Sequence, residues 1–207
     1  MTGPTAHPYG ERAVLFDFAE SAAVLTAYDV LRRAGRADVV DLVPAERSLL
    51  VLTPGRPRVE ELRAVLAAAG AAGDEDRPSP LVEIPVRYDG PDLDEVAATL
   101  GRSREDVIAT HAGGAYVSAF CGFAPGFAYL TGISADLQLP RRASPRVRVE
   151  SGSVAVAGHY TAVYPTASPG GWHLLGRTDA SVWDLDRDPP AVLTPGTRVR
   201  FVPVEPR

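Results

Sequence analysis

The second half of the chain is divided by glycine and proline into short runs of β-forming residues. From residue 115 onward these runs include AYVSAF, RVRVE, SVAVAG, TAVYP, WHLLGRT, AVLT and RVRFVPV. Many short strands separated by turn residues are typical of a closed or sandwiched β architecture, in which the strands bury one another's apolar faces. The sequence therefore predicts a β-rich domain in this half of the chain.

The first half instead alternates strand patterns with helix patterns. In order, these are a strand at 13–18, a helix at 21–34, strands at 39–44 and 48–53, a helix at 59–69 and a strand from Leu81. This order is that of a split βαβ domain, in which two helices cover one face of a four-stranded sheet. We therefore expect an α+β protein with a ferredoxin-like βαββαβ domain at residues 1–88 and the β domain at residues 89–207.

Local signals mark the ends of several elements. Ser21 and Gly35 are candidates to cap and to end the first helix. Two short helices are expected at the start of the second domain, and Ser103 with Asp106 has the spacing of a capping box in the second of them. The Gly- and Pro-containing stretch Gly70–Pro80 predicts a surface loop.

Charge and lysine content exclude several classes of function. The formal net charge is −5, and no basic stripe is present, which argues against nucleic acid or an anionic membrane as the main partner. Every basic residue other than histidine is arginine. The absence of lysine excludes a Schiff-base lysine and the Gly-x-x-x-x-Gly-Lys phosphate loop. We therefore expect no cofactor bound by this chain, and any ATP to bind on a partner.

Cysteine content and hydropathy indicate the compartment. Cys121 is the only cysteine, which excludes an internal disulfide and a thiolate metal cluster. No apolar run approaches the ~18 residues of a membrane span, and the amino terminus lacks the pattern of a signal peptide. We expect a cytoplasmic protein.

Two stretches carry glycine, proline, aromatic and hydroxyl residues where ordinary strands would have aliphatic ones. They are GFAPGFAYLTG at 122–132 and SGSVAVAGHYTAVYPTASPGGWHLLGRT at 151–178. Glycine allows close approach of the backbone and positive φ angles, and proline fixes turns. Such a composition predicts a shaped binding surface.

With PRRASPR at 140–146, these stretches resemble the signature of the family of 5-oxoprolinase B subunits, also called the allophanate hydrolase subunit 1 or Kip-type kinase-inhibitor family. The elements that match are GF-x-PGF-x-YL, PRR-x-x-PR, GSV-x-x-AG, T-x-x-YP, SPGGW and GRT, in that order. The chain departs from the family pattern at His159 and Tyr160, where Gly-Gln is common, and at Ala162, where glycine is common. The signature covers roughly the last two-fifths of the chain.

The resemblance implies a cyclophilin-like β-barrel at residues 89–207 and a carboxyltransferase-type domain. It implies a non-autonomous subunit of an ATP-dependent 5-oxoprolinase, which opens the lactam of 5-oxoproline to give glutamate. The implied partners are an allophanate hydrolase subunit 2-like protein and a LamB/YcsF-like protein, with a small lactam or amide as substrate. Two alternatives share the signature: a Kip-type inhibitor of a sensor histidine kinase, and a component of a urea or allophanate amidolyase.

His111 and His159 are the candidate catalytic residues. His159 lies inside the signature, and His111 ends a predicted helix before a Gly-Gly break. A contact of His111 with the helix dipole is the structural alternative. No histidines have the spacing of a metal site, so no metal is expected. Ser153 and Ser168 lack a Gly-x-Ser-x-Gly context, and we interpret them as turn residues rather than nucleophiles.

Arginine and aromatic residues are the candidate substrate ligands. Arg141, Arg146 or Arg177 could hold a carboxylate through the guanidinium fork. The candidate binding residues are Phe123, Pro125, Gly126, Phe127, Arg141, Ser153, Tyr164, Gly170, Gly171, Trp172, Arg177 and Thr178. For Phe123 and Phe127, packing in the core is the alternative. We expect one concavity to be lined by Phe123, Arg141, His159, Tyr164, Trp172 and Arg177.

Overall fold

The computed structural model of the protein describes residues 3–70 and 80–205. The chain divides into two compact units, Met1–Pro78 and Ser79–Arg207. Each unit has an apolar cluster of its own. The loop predicted at Gly70–Pro80 falls almost entirely outside the described residues.

The first unit is an antiparallel sheet with two helices. Its elements are β1 (Thr5–Pro8), β2 (Ala13–Asp17), α1 (Ser21–Ala34), β3 (Asp41–Pro44), β4 (Ser48–Leu52) and α2 (Val59–Gly70). The strand order is β1-β2-β4-β3. Leu31 of α1 and Leu62 of α2 form one apolar cluster with Phe16 of β2 and Leu49 of β4.

The predicted helix at 21–34 is confirmed, and Gly35 ends it in the left-handed conformation with φ 55°. The cap assigned to Ser21 is wrong, because Ser21 is the first helical residue and Glu20 precedes it without a side-chain capping bond.

The predicted βαββαβ order is wrong at its last strand. The strand at Leu81–Val86 (β5) belongs to the sheet of the second unit, where it pairs in parallel with Arg198–Pro203 (β13). The sheet position beside β2 is taken by β1. The sequence TAHP of β1 is short, polar and contains proline, so it carries no strand pattern.

The second unit is a barrel-like sheet with two helices and a small additional sheet. After β5 come α3 (Leu93–Leu100), α4 (Arg104–Ala112), β6 (Tyr116–Cys121), β7 (Ala128–Thr131), a 3₁₀ turn (Ala135–Leu137), β8 (Arg146–Val149), β9 (Ser153–Ala157), β10 (Tyr160–Val163), β11 (Ser168–Gly170), β12 (His173–Arg177) and β13. Seven strands form one sheet in the order β12-β9-β10-β7-β6-β13-β5, and β8 pairs with β11.

The two edges of the seven-stranded sheet meet at one point. Arg87, just after β5, and Arg177, at the end of β12, exchange two backbone hydrogen bonds of 2.9 and 2.8 Å. This bridge nearly closes the sheet, which agrees with the first of the two predicted alternatives, a closed or a sandwiched β architecture. The predicted strand AVLT does not form, because only Ala191 of this run makes an isolated bridge, with Trp183.

The capping box at the start of α4 is confirmed. The Ser103 hydroxyl accepts from Asp106 N at 3.0 Å, and the Asp106 carboxylate accepts from Ser103 N at 3.3 Å. None of the described helices is long and apolar enough to cross a membrane.

Candidate binding site

The wall of the barrel has two apolar sides. Along β9, Val154 and Val156 join the interior cluster, whereas Ala155 and Ala157 join a separate cluster on the opposite side. The small alanines leave room for large rings from neighbouring segments. Seven aromatic residues meet there, and we call them the aromatic face: Phe120, Phe123, Phe127, Tyr129, Tyr160, Tyr164 and Trp172.

Phe127 is the centre of the aromatic face. Its ring is edge-on to those of Phe123, Tyr164 and Trp172, with centroids 5.3, 5.3 and 5.6 Å away. Edge-to-face contacts at these distances are favourable, because the positive ring edge meets the negative ring face. Three of the predicted binding residues are thus brought together around a buried fourth, Phe127.

Phe123 is the exposed member of the aromatic face. Its side chain is 62% exposed, and its backbone has φ 71°, the only positive φ outside glycine among the described residues. The tight turn is held by hydrogen bonds from Gly122 N to Phe127 O and from Phe127 N to Ala124 O. A bulky residue in this conformation is strained, and such strain clusters at ligand-binding sites. Pro125 and Gly126 complete the turn.

Asp92 anchors the arginine-rich segment beside the aromatic face. Its carboxylate, 2% exposed, accepts hydrogen bonds from Arg142, from both terminal nitrogens of Arg146 and from Leu174 N, at 2.6–2.9 Å. Burial acts to raise the pKa of Asp92, but the hydrogen bonds and the arginine charges outweigh it and lower the pKa below its usual value. The predicted carboxylate ligand Arg146 is therefore already occupied.

Hydrogen bonds hold the residues on either side of Arg141, whereas Arg141 itself pairs with no described carboxylate. His173 Nε2 contacts Pro140 O at 2.9 Å, and Arg142 N donates to Gly171 O at 2.8 Å. Across residues 3–70 and 80–205, no carboxylate or other acceptor bonds to the exposed Arg141 guanidinium. Of the arginines in PRRASPR, Arg141 is the one left available for a ligand.

The Tyr164 hydroxyl faces a position that only glycine can occupy. A Cβ atom on Gly170 would lie 2.3 Å from the Tyr164 oxygen, so any side chain there would displace the phenol. The ring is buried, and the hydroxyl, which bonds to no described residue, reaches the surface. Burial raises the pKa of Tyr164, and the nearby charges of Arg141 and Arg146 oppose that rise.

Ser168 was not among the predicted binding residues. Its Oγ atom is buried and has no hydrogen-bond partner in the structure as described. Ser168 and Gly170 both lie on β11, opposite Val149 and Arg146 of β8, and the register of the pairing shifts between them. The available signal was a hydroxyl two residues before the glycine of SPGG, which we interpreted as a turn residue.

The position of His111 does not support the predicted catalytic role. Its ring is completely buried, stacks on Phe201 and bonds to Tyr88 Oη at 2.8 Å and Thr161 Oγ1 at 2.9 Å. Because Thr161 donates its proton to Ala155 O, His111 Nε2 must be the donor to Thr161, and Nδ1 accepts from Tyr88. Burial lowers the pKa of His111 to about 3, so the ring is neutral.

Among the described residues, neither His159 nor Arg177 bonds to Arg141 or Tyr164. His159 is exposed in the turn between β9 and β10 and forms no hydrogen bond or ion pair with another described residue. The Arg177 guanidinium pairs with Asp89 at 2.7 Å. This pairing does not support Arg177 as the carboxylate ligand and favours Arg141 instead.

Three further predicted binding residues make contacts within the protein. Ser153 Oγ donates to Glu150 O at 2.7 Å, Thr178 Oγ1 accepts from Ala180 N at 3.0 Å, and Gly171 lies against Pro145. Tyr164 and Thr178 also line a depression of about 290 Å³. Among the described residues, no group of three or more His, Cys, Asp or Glu side chains could hold a metal ion.

Comparison with known proteins gives relatives over nearly the whole chain. The family described as carboxyltransferase domain, subdomain C and D, matches residues 4–193. A protein of Escherichia coli O157:H7 described as the B subunit of 5-oxoprolinase is 38% identical over 206 residues, which cover 94% of this chain and 93% of that protein.

Solved structures share the fold. The crystal structure of TTHA0988 matches with a TM-score of 0.79 and 39% identity, over 95% of this chain and 40% of that chain. The K. lactis urea amidolyase matches with a TM-score of 0.70 over 97% of this chain and 15% of that chain. Its identity is 21%, which shows a common fold alone.

Proposed function

The chain belongs to the family of carboxyltransferase domains, subdomains C and D, and on this premise we propose that it is the B subunit of an ATP-dependent 5-oxoprolinase. The similarity to the E. coli protein carries the proposal, because it extends over 94% of this chain and 93% of the relative.

In the assembled enzyme, ATP transfers its γ-phosphoryl group to the amide oxygen of 5-oxoproline, and water adds to the activated carbon. The C–N bond then breaks to leave γ-glutamyl phosphate, and a second water hydrolyses this acyl phosphate to glutamate and phosphate, while ADP is the other product of the phosphoryl transfer. This chain has no lysine and hence no Gly-x-x-x-x-Gly-Lys loop, so ATP binds on a companion subunit. The companions are an allophanate hydrolase subunit 2-like protein and a LamB/YcsF-like protein, and the complex works in the cytoplasm.

The aromatic face contributes the substrate site to this enzyme. Three observations support this assignment: the strained and exposed Phe123, the unpaired Arg141 and the partnerless Tyr164 hydroxyl. Aromatic rings supply an apolar wall for a small lactam, and a guanidinium supplies the charge that an acidic substrate needs. The cyclophilin-like identity of the barrel is part of the same proposal.

No observation favours the two alternatives. The relative that covers nearly the whole chain is described as an oxoprolinase subunit, and the likeness to urea amidolyase is one of fold. Inhibition of a sensor histidine kinase has no support in the described contacts.

Reconstitution tests the proposal. The purified chain and both companions are assayed singly, in pairs and together for conversion of 5-oxoproline to glutamate, with and without ATP. Activity is expected only from the three-subunit mixture with ATP. Turnover by this chain alone, or an active mixture that omits it, would contradict the proposal.

A further inference from the structure

One loop of the second unit presents an exposed leucine between aspartates. The loop spans residues 182–192, and we call it the Leu185 loop. The tip has the sequence DLDRDP, in which Leu185 is 79% exposed. We propose that this loop binds a companion protein subunit by entering an apolar pocket with a basic rim. The inference rests on the proposed function for the identity of the assembly, and it assigns an interaction surface.

The Leu185 loop is held in one shape by its own hydrogen bonds. Its ends are joined by a bond of 3.1 Å from Val192 N to Val182 O, and Asp184 N donates to Pro190 O at 3.0 Å. At the tip, Asp186 N donates to the Asp184 carboxylate at 3.0 Å. A leucine on such a preformed loop loses little conformational entropy when a partner covers it.

The base of the Leu185 loop is anchored to the barrel and to the turn that carries Phe123. Val182 is buried in the interior cluster. Gly126 lies against Trp183, because a Cβ atom on Gly126 would be 2.5 Å from Trp183 Cβ. A side chain at Gly126 would therefore displace Trp183. The two segments that carry the exposed side chains of Leu185 and Phe123 are thus packed together beside the aromatic face.

The charges beside Leu185 indicate the chemistry of the partner. Asp184, Asp186 and Asp188 surround the leucine, and none of them forms an ion pair with a described residue. Arg187 is the only basic residue of the loop, so negative charge is in excess. An apolar tip among free carboxylates is complementary to an apolar pocket with basic residues at its rim.

The same charges argue against two other occupants. An anionic membrane surface would repel the aspartates. In a symmetric dimer the same patch of each subunit meets its copy, so the aspartates of two chains would face one another. A single exposed leucine is ordinary on a protein surface, but Leu185 is fixed in place, flanked by unpaired carboxylates and close to a second exposed apolar segment.

The relatives indicate that the partner belongs to the same assembly. The E. coli relative is described as a subunit, and the match covers 93% of it. In TTHA0988, the matched region is 40% of one chain. The same domain thus occurs as a separate subunit and as part of a longer chain. In the first form, only a non-covalent surface can hold the domain to its companions, and we assign this surface to the Leu185 loop.

Affinity measurements between the full chain and each purified companion test the inference. Leu185→Ser should weaken binding of a companion roughly ten- to a hundredfold, because an apolar side chain is no longer buried in the complex. Val40→Ser is the matched control, since Val40 is an aliphatic residue of the first unit and is 66% exposed. The control should change the affinity by less than about threefold, and both variants should keep the unfolding midpoint of the unsubstituted chain.

The basic rim is tested by charge and salt. Replacing Asp186 and Asp188 together by asparagine should weaken binding roughly threefold to tenfold at low salt, and the difference should shrink at high NaCl because ions screen exposed charges. Affinity that is independent of these aspartates and of NaCl would reject the basic rim.

Four further outcomes would overturn the inference. They are unchanged affinity in Leu185→Ser, an equal loss in Val40→Ser, no binding of the unsubstituted chain to either companion, and self-association of the chain that Leu185→Ser abolishes. The last would assign the loop to a second copy of the chain.

The result is separable from that of reconstitution, because binding is measured without turnover. Loss of companion binding in Leu185→Ser, when the unsubstituted mixture has no oxoprolinase activity, would keep this surface and reject the proposed function. An active three-subunit complex that assembles equally well with Leu185→Ser would keep the function and reject this surface.

Discussion

The interior of the barrel and its aromatic face differ in whether their polar groups have hydrogen-bond partners. Inside, His111 is fully buried, and both its ring nitrogens are bonded, to Tyr88 and Thr161. Beside the aromatic face, Ser168 Oγ, Arg142 Nε and His173 Nδ1 are buried without a partner among the described residues, and the exposed Arg141 pairs with no described carboxylate. The two sides are separated by one strand, β9, whose alternate residues point to each.

We interpret this difference as one between polar groups that serve the fold and polar groups available to a ligand. A buried polar group whose bonds are all made stabilises one fold, whereas a partnerless one retains free energy for binding. Asp92 is an example of the first kind, because its carboxylate is fully hydrogen-bonded. Those bonds also hold the segment that carries Arg141, which has no described partner. The predictions below test whether the two sides respond to substitution as this contrast requires.

The largest expected effect comes from the anchor. Asp92→Asn removes the charge that holds Arg142 and Arg146, and it should lower the free energy of unfolding by about 3 kcal/mol, somewhat reduced by the partial exposure of the arginines. Chemical denaturation measures this loss. Asp94→Asn is the control, because Asp94 is 79% exposed in its pair with Arg104 and should cost below about 1 kcal/mol. Equal losses in the two variants would remove Asp92 as the anchor.

The interior should respond to pH. Because the pKa of His111 is lowered to about 3, the unfolded chain binds a proton below about pH 6.5 that the folded chain does not. Stability contributed by the neutral ring is therefore complete above that pH and falls by about 1.4 kcal/mol per pH unit as pH decreases towards 3. Denaturation at several pH values measures this dependence. Between about pH 6.5 and 3, the free energy of unfolding of His111→Asn should fall by about 1.4 kcal/mol less per pH unit than that of the unsubstituted protein. Parallel curves would show that His111 is protonated in the folded protein.

The smallest expected effect distinguishes two substitutions of Phe123. Glycine adopts φ 71° without strain and alanine does not, so Phe123→Gly should be about 1 kcal/mol more stable than Phe123→Ala. Both substitutions should lower the activity of the assembled enzyme, because both remove the exposed ring. Thermal unfolding and activity are measured on the same preparations. A glycine variant less stable than the alanine variant would contradict the assigned backbone strain.

Local signals were sufficient to predict much of the fold. The bounds of α1 follow from apolar spacing and from Gly35, and the capping box of α4 follows from Ser103 and Asp106. The sheet to which β5 belongs could not be predicted, because its partner β13 is at the far end of the chain. A strand pattern indicates that a segment is extended, but it does not indicate which segment pairs with it.

The candidate site was predicted in part for a related reason. Arg141 and Arg177 lie in equally marked motifs, and only the fold shows that Asp89 occupies Arg177 while Arg141 stays unpaired among the described residues. His111 ends a helix before two glycines, which does not reveal that its ring points into the core. The burial of Ser168 Oγ was not predicted, because an exposed serine in a turn and a buried one have the same sequence context.

Steady-state kinetics of the reconstituted complex test most directly that the aromatic face, through Arg141, is the substrate site. Arg141→Ala should lower kcat/KM for 5-oxoproline roughly ten- to a hundredfold, and Arg141→Lys should recover part of the loss, because an ammonium cannot reproduce the guanidinium fork. Arg177→Ala should change kcat/KM by less than about threefold, since its side chain is paired with Asp89. A large loss in Arg177→Ala with normal activity in Arg141→Ala would contradict the account.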